Sequence, residues 1–386
     1  MLQKNSTKKL QAAQPAAQKP WKVPYLDMRL GYSQQREAIL ARINDVCSDA
    51  RFILRQEVEE FEQRAAKFLG VKYAIGVGNG SDAIYFGLKA AGIAPGDEVI
   101  TVAHTFVATL AAIDRCGATP VLVDIGPDFN MDPEEVAKKI TTKTRGIVPV
   151  HLNGRCCNME PIMKLAKDNG LVVVEDAAQG FGAKLNGVNA GGFGIAGAFS
   201  FHPMKVLACL GDGGLVTTND EEVAKQIALL RNHGQENKTN LKQYGYNSRL
   251  DNLQAAILLE RLTGLETALA RRREVAGVYH EAFKDLAGLV CPLPPDSGPY
   301  HDIYSSYVLC HQDRDSLAAH LQQKGVEVFS HWSPPLHQQS GLNLTPVSLP
   351  MTEQLSAQVI SLPVFPEITD EQVEYVIEAV SDFCGR

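Results

Sequence analysis

The chain has 386 residues, of which 45% are hydrophobic and 21% charged, with a formal net charge of −7. That is apolar enough to exclude a disordered chain and long enough for one large and one small domain. The acidic balance argues against a general nucleic-acid binder, and no run approaches the ~20 apolar residues that cross a bilayer.

Residues 1–20 carry Lys4, Lys8, Lys9 and Lys19 among Gln and Ala, without the apolar core of a secretory leader. A loosely ordered tail is predicted there, followed by a large domain over 21–262 and a small one over 263–386. The eight cysteines form no Cys-x-x-Cys pair and read as reduced thiols of a cytoplasmic protein. His331 and His337 lack the nearby cysteine pair of a zinc site, so no metal is expected.

From residue 33 to 69 the spacing is helical, with Ser33 as a cap and Gly70 as a stop. Short β-branched runs follow at 73–77, 98–102, 120–123, 146–150 and 171–175. Helical patterns lie between them at 82–91, 106–116, 133–140 and 159–169. Such alternation predicts βαβ units, an α/β fold and a mostly parallel central sheet. Runs at 196–201 and 214–218 are joined by a glycine-rich turn, which predicts an antiparallel or irregular excursion at the active-site edge. A helical pattern spans 250–283, with interruptions expected at Gly264 and Gly277. Beyond residue 290 a strand at 304–310, a helix at 315–324, a strand at 326–329 and helices near 352–359 and 369–382 predict a smaller α+β domain.

Three segments end strands of the large sheet, where open α/β sheets bind ligands. In Gly76-Val77-Gly78-Asn79-Gly80-Ser81-Asp82 a strand runs into a helix, so backbone N–H groups and the Ser81 hydroxyl can receive a phosphate. A glycine turn capped by Ser81 is the purely structural alternative. In the second, the apolar strand 171–175 delivers Asp176, with Gln179 three residues on. A carboxylate there suits the ring nitrogen of pyridoxal 5′-phosphate (PLP), and a donor suits the ring oxygen; a helix N-cap is the rival role for Asp176. The third, Ala198-Phe199-Ser200-Phe201-His202-Pro203-Met204-Lys205, places a lysine beyond an apolar strand. Desolvation there would favour the neutral amine that bonds to carbonyls; taken singly, a lysine is far more commonly an ordinary surface one.

Together, Asp-x-x-Gln after a hydrophobic strand, Phe-Ser-Phe-His-Pro-x-Lys, and Gly211-Asp212-Gly213-Gly214 resemble the DegT/DnrJ/StrS family of sugar-nucleotide aminotransferases, which are fold-type I PLP enzymes. The likeness continues through 96–100, 148–152, Arg231-Asn232-His233-Gly234, Asn247-Ser248-Arg249-Leu250 and Ser361-Leu362-Pro363. The resemblance implies that Lys205 bonds to the cofactor and moves the proton, that Asp176 faces the ring nitrogen and Gln179 the ring oxygen, and that Phe106 stacks on the ring. It implies phosphate contacts from Gly80, Ser81 and Ser200, and one from Asn247 of the other subunit of a homodimer with shared sites. His202, Arg249 and His331 fall where substrate would lie. The implied reaction carries an amino group from glutamate or glutamine to a nucleotide-activated keto sugar. A keto-cyclitol or other small ketone as acceptor, or a regulatory protein that holds PLP without turnover, are the alternatives. Departures at Asn153-Gly154-Arg155-Cys156-Cys157 and Val206-Leu207-Ala208-Cys209 touch pocket walls and leave the sugar open.

Overall fold

The computed structural model describes residues 21–385; the tail expected over 1–20 lies outside them. Helix α1 (Met28–Asp49) starts two residues after Leu26 and is capped by Asp27, whose carboxylate accepts from the Leu30 N–H at 2.9 Å. Ser33, expected as the cap, lies inside the helix and donates its hydroxyl to the Leu30 carbonyl. Helix α2 (Gln56–Leu69) buries Val58, Phe61, Ala65 and Leu69 and stops at Gly70, as its spacing predicts.

Seven strands form the central sheet: β1 (Tyr73–Val77), β2 (Glu98–Val102), β3 (Thr119–Val123), β4 (Thr144–Ile147), β5 (Val172–Asp176), β6 (Ala196–Ser200) and β7 (Gly214–Thr218). Their spatial order is β1-β7-β6-β5-β4-β2-β3. Six run parallel, and β7 runs against both of its neighbours. The β6–β7 pair is therefore no excursion at an edge but the interior of the sheet. Its residues are small enough for that position: a Cβ on Gly197 would fall 2.2 Å from the Gly191 backbone, so only glycine lets the 191–194 turn lie on the strand.

Alternate strand residues feed two cores, as the period of two requires. Ile100, Val173 and Phe199 pack with Phe61 of α2 and with Leu258 of α8 (Asn252–Thr263). Val99, Val174 and Val216 pack with Ile84 of α3 (Gly80–Ala90), Ile113 of α4 (Val107–Arg115) and Ile227 of α7 (Glu221–Arg231). Helices α5 (Pro133–Lys139) and α6 (Met159–Asn169) complete the crossovers. The helical stretch expected over 250–283 breaks once, at Gly264, into α8 and α9 (Leu265–Phe283). Gly277 does not interrupt α9.

A third core gathers Tyr279 and Phe283 of α9 against a three-stranded antiparallel sheet. Its strands are β8 (Leu289–Val290), β9 (Tyr307–His311) and β10 (Val359–Leu362), flanked by α10 (Arg314–Gln323) and α12 (Asp370–Cys384). Helix α11 (Pro350–Gln358) leads into β10, a strand that the sequence pattern does not predict. The strand expected at 326–329 is instead two isolated bridges, Val23 with Val326 and Phe329 with Ser361. The two ends face different partners, so no continuous ladder forms. Val23 is fully buried among these residues, so the start of the described chain packs on the C-terminal core.

One buried hydrogen-bonded cluster around a carboxylate ties the sheet together beneath its carboxyl edge. Glu175 is fully buried and accepts from the backbone N–H groups of Gly191, Phe193 and Gly194 at 2.7, 2.8 and 2.7 Å. Its fourth donor is His151 Nε2 at 2.8 Å. His151 Nδ1 accepts from the Cys157 N–H, which assigns the ring proton to Nε2. β5 is thereby joined to the segment after β4 and to the turn before β6. Glu175→Gln turns one end of the side chain into a donor facing donors. It should cost about 3 kcal/mol, read as a lower thermal unfolding midpoint; an unchanged midpoint would contradict this assignment.

Candidate active site

β1, β5 and β6 run parallel, so their carboxyl ends open on the same edge, and there they meet the first turn of α4 and residues 331–332. Between them lies a cavity of about 330 Å³. Gly80, Ser81, Phe106, Asp176, Gln179, Ser200, His202, Lys205 and His331, all singled out from the sequence, line it together. Asn247 and Arg249 do not. Asn247 is exposed and bridges to Asn232, whose side-chain oxygen accepts from Arg249 Nη1 at 3.0 Å.

Helix α3 is capped by Asn79, whose Oδ1 accepts from the Asp82 N–H at 2.8 Å, and not by Ser81. The Ser81 hydroxyl is thus not spent on the cap, and the N–H groups of the first turn lack partners within the helix. A helix start of this kind receives anions. Gly80 is required by space: a Cβ there would meet Ser200 Cβ at 2.7 Å.

No helix follows β5, so Asp176 is not a cap. Its Oδ1 accepts from the Ala178 N–H at 3.1 Å and its Oδ2 from the Thr109 hydroxyl at 2.7 Å. Gln179 Oε1 accepts from the Asn153 N–H at 2.8 Å, which leaves its amide NH₂ as a donor.

Lys205 sits in the loop between β6 and β7. The loop is pinched shut where Phe201 N–H meets the Gly213 carbonyl and Cys209 N–H the Phe201 carbonyl. Two residues of α8 grip it from below. Gln254 exchanges two hydrogen bonds with the Leu210 backbone, and Arg261 donates to the Ala208 carbonyl at 2.5 Å. Burial pushes the Lys205 ammonium below its ordinary pKa, outweighing the opposite pull of the Asp176 charge. More free amine is therefore present near neutrality than on a surface lysine.

Phe106 remains 60% exposed at the mouth, with Trp332 edge-on at 6.4 Å between ring centres. The His331 ring, 2.9 Å from Ser361 Oγ, is held below the usual histidine pKa by burial and then by the nearby lysine charge. Tyr25, Thr109 and Arg261 escaped the sequence reading. Each reaches the site or its support from a distant element, and only the chain reversal of the fold brings them in. Tyr25 lines the cavity and donates to Ser306 Oγ at 3.2 Å.

The residues present fit a phosphate-bearing aromatic aldehyde. They offer a partly desolvated amine, a carboxylate with defined donors, an exposed aromatic face and a helix start that a single methyl would obstruct. A model of the DegT/DnrJ/EryC1/StrS aminotransferase family matches residues 33–381. The chain belongs to this family. The cofactor of the family is PLP, and the chain is a PLP-dependent aminotransferase.

The family relatives span almost the whole chain. A pleiotropic regulatory protein of Geobacillus stearothermophilus is 42% identical over 94% of this chain and 98% of its own. The dTDP-3-amino-3,4,6-trideoxy-alpha-D-glucose transaminase of Streptomyces venezuelae is 38% identical over 95% of this chain and 97% of its own. The crystal structure of S. venezuelae DesV in complex with a ketimine intermediate superposes with a TM-score of 0.92 at 38% identity, covering 95% of this chain and 100% of that one. No helix among the described residues is long and apolar enough to cross a membrane.

Gly80→Ala should push the helix start away from Ser200 and weaken PLP binding by about tenfold, measured by fluorescence titration. Unaltered affinity would show that the α3 start is not the anion cradle.

Proposed function

We propose that the protein transfers an amino group from glutamate or glutamine to a keto sugar carried on a nucleotide. The observation that carries this is the single cavity holding Lys205, Asp176, Gln179 and the α3 start. Over 95% of its length the chain is also 38% identical to a dTDP-amino-sugar transaminase. When bound, PLP supplies the electron sink for the reaction.

The protein's part is positioning and proton transfer. The first turn of α3 with Ser81 and Ser200 holds the phosphate. Asp176 faces the ring nitrogen and favours its protonated form, while the Gln179 NH₂ donates to the ring oxygen. Phe106 covers one ring face. Lys205 Nζ takes a proton from the donor's reacting carbon and later delivers one to the sugar carbon, so one base serves both halves. His202 and His331 border the space left for the sugar.

The name of the Geobacillus relative favours a second reading, a regulator that holds PLP without turnover. Adding glutamate or glutamine to the PLP-loaded protein separates the two. An aminotransferase loses its visible cofactor colour, and borohydride reduction beforehand leaves pyridoxyl mass on the Lys205 peptide. Retained colour with both donors would favour the regulator, and label on another lysine would displace Lys205.

Asn247 enters the site from a second copy in this reading. Phe52, Ile53 and Leu210 are exposed and flank the segment after Asn247, through the bridge of Ile53 to Asp251 and the grip of Gln254 on Leu210. Exposed apolar side chains gathered in this way suit a subunit contact. A mixture of Lys205→Ala and Asn247→Asp chains tests it. Shared sites put both lesions in one site of each mixed dimer and leave the other intact, so about a quarter of all sites should recover activity. Activity no higher than the mean of the parents, with mixed dimers present, would refute sharing.

A further inference from the structure

Two buried threonines, Thr105 just before the Phe106 cap of α4 and Thr109 in its first turn, have hydroxyls that form a chain ending on Asp176. Thr109 is fully buried and Thr105 nearly so. A buried helical threonine commonly donates to the carbonyl one turn back. Thr109 instead reaches across to β5, with its hydroxyl 2.7 Å from Asp176 Oδ2. Thr105 Oγ1 lies 2.9 Å from Thr109 Oγ1.

Hydrogen-bond chemistry sets the direction. An ionised carboxylate only accepts, and each hydroxyl has one proton to give. Thr109 therefore donates to Asp176 and Thr105 donates to Thr109. With the Ala178 N–H on Oδ1 at 3.1 Å, each carboxylate oxygen has its own donor from a different element. Rotation about the last bond of Asp176 would break one contact or both. The same helix start presents Phe106, the next residue after Thr105, uncovered at the cavity mouth.

We propose that Thr109, backed by Thr105, is a positioning residue that fixes the rotation of the Asp176 carboxylate toward the ring nitrogen of the bound cofactor. The proposal rests on the PLP reading of the site. It couples two features of one helix turn, the aromatic that covers the ring and the hydroxyl that aims the ring's counter-ion.

The competing view is that Asp176 merely satisfies a buried hydroxyl. The two views differ in what the cofactor reports. A carboxylate turned away from the ring nitrogen leaves the ring less cationic. A less cationic ring draws less charge from the lysine nitrogen joined to it, and that nitrogen keeps its proton to higher pH.

The test uses PLP-loaded protein without substrate. Wild type is first shown to take PLP at Lys205; failure there would overturn the cofactor assignment itself. Thr109→Val keeps the volume and removes the hydroxyl, and Thr109→Ser keeps the hydroxyl. Thr109→Val should weaken PLP binding by about tenfold and raise the midpoint of the visible absorbance titration by roughly one pH unit. Thr109→Ser should restore both. A wild-type midpoint and affinity in folded Thr109→Val would overturn the proposal, as would a Thr109→Ser as impaired as the valine. Should Thr109→Val not fold, Thr105→Val decides: a smaller upward shift in midpoint supports the relay, and no shift overturns it.

Discussion

Strand β5 ends in two carboxylates that the alternation of a strand sends to opposite faces, and the site depends on that pair. Glu175 turns inward, where four donors meet its lone pairs and bind together the segments after β4, at the end of β5 and before β6. Asp176 turns to the cavity. A buried carboxylate is tolerated only when its lone pairs are met, so the 191–194 turn and His151 are committed to Glu175. Once they are fixed, Asp176 emerges at one height on the sheet edge. The antiparallel insertion of β7 then places the Lys205 loop beside it.

Charge explains why the site is built as two layers. Lys205 must be drawn partly out of water to offer a free amine, and a nearby Asp176 works against that by favouring the ammonium. The loop resolves the conflict mechanically. Its backbone is pinched at Phe201 and held from α8 by Gln254 and Arg261, so the lysine stays where burial dominates. The Asp176 carboxylate meanwhile has fixed donors on both oxygens, which holds it ready for the ring-nitrogen role proposed for it.

The sequence carried much of this arrangement in local form. Strand runs followed by Gly-Asn-Gly-Ser, Asp-x-x-Gln and Phe-Ser-Phe-His-Pro-x-Lys mark the three strand ends, because glycine, charge and β-branching leave signatures within a few residues. What was hidden is what depends on distant pairing. The interior place of β6 and β7 follows from β7 pairing with both β1 and β6, and the 191–194 turn lies on β6 only because Gly197 admits the Gly191 backbone; no run of residues announces either. Asn79 outcompetes Ser81 for the α3 cap, and Asp27 outcompetes Ser33 for α1, since a cap is decided by where the helix begins. Residues 326–329 look like a strand but face two partners. Thr109, Tyr25 and Arg261 stand in segments with no motif of their own.

Amino transfer to a nucleotide keto sugar is tested most directly by following the nitrogen itself. Catalytic amounts of PLP-loaded protein would be incubated with ¹⁵N-glutamate or α-¹⁵N-glutamine and a panel of nucleotide-linked keto hexoses, and the sugar products weighed by mass spectrometry. The account predicts a nucleotide sugar bearing ¹⁵N in place of its carbonyl oxygen over many turnovers, and none with Lys205→Ala. Label that reaches the cofactor but never any nucleotide sugar would contradict it.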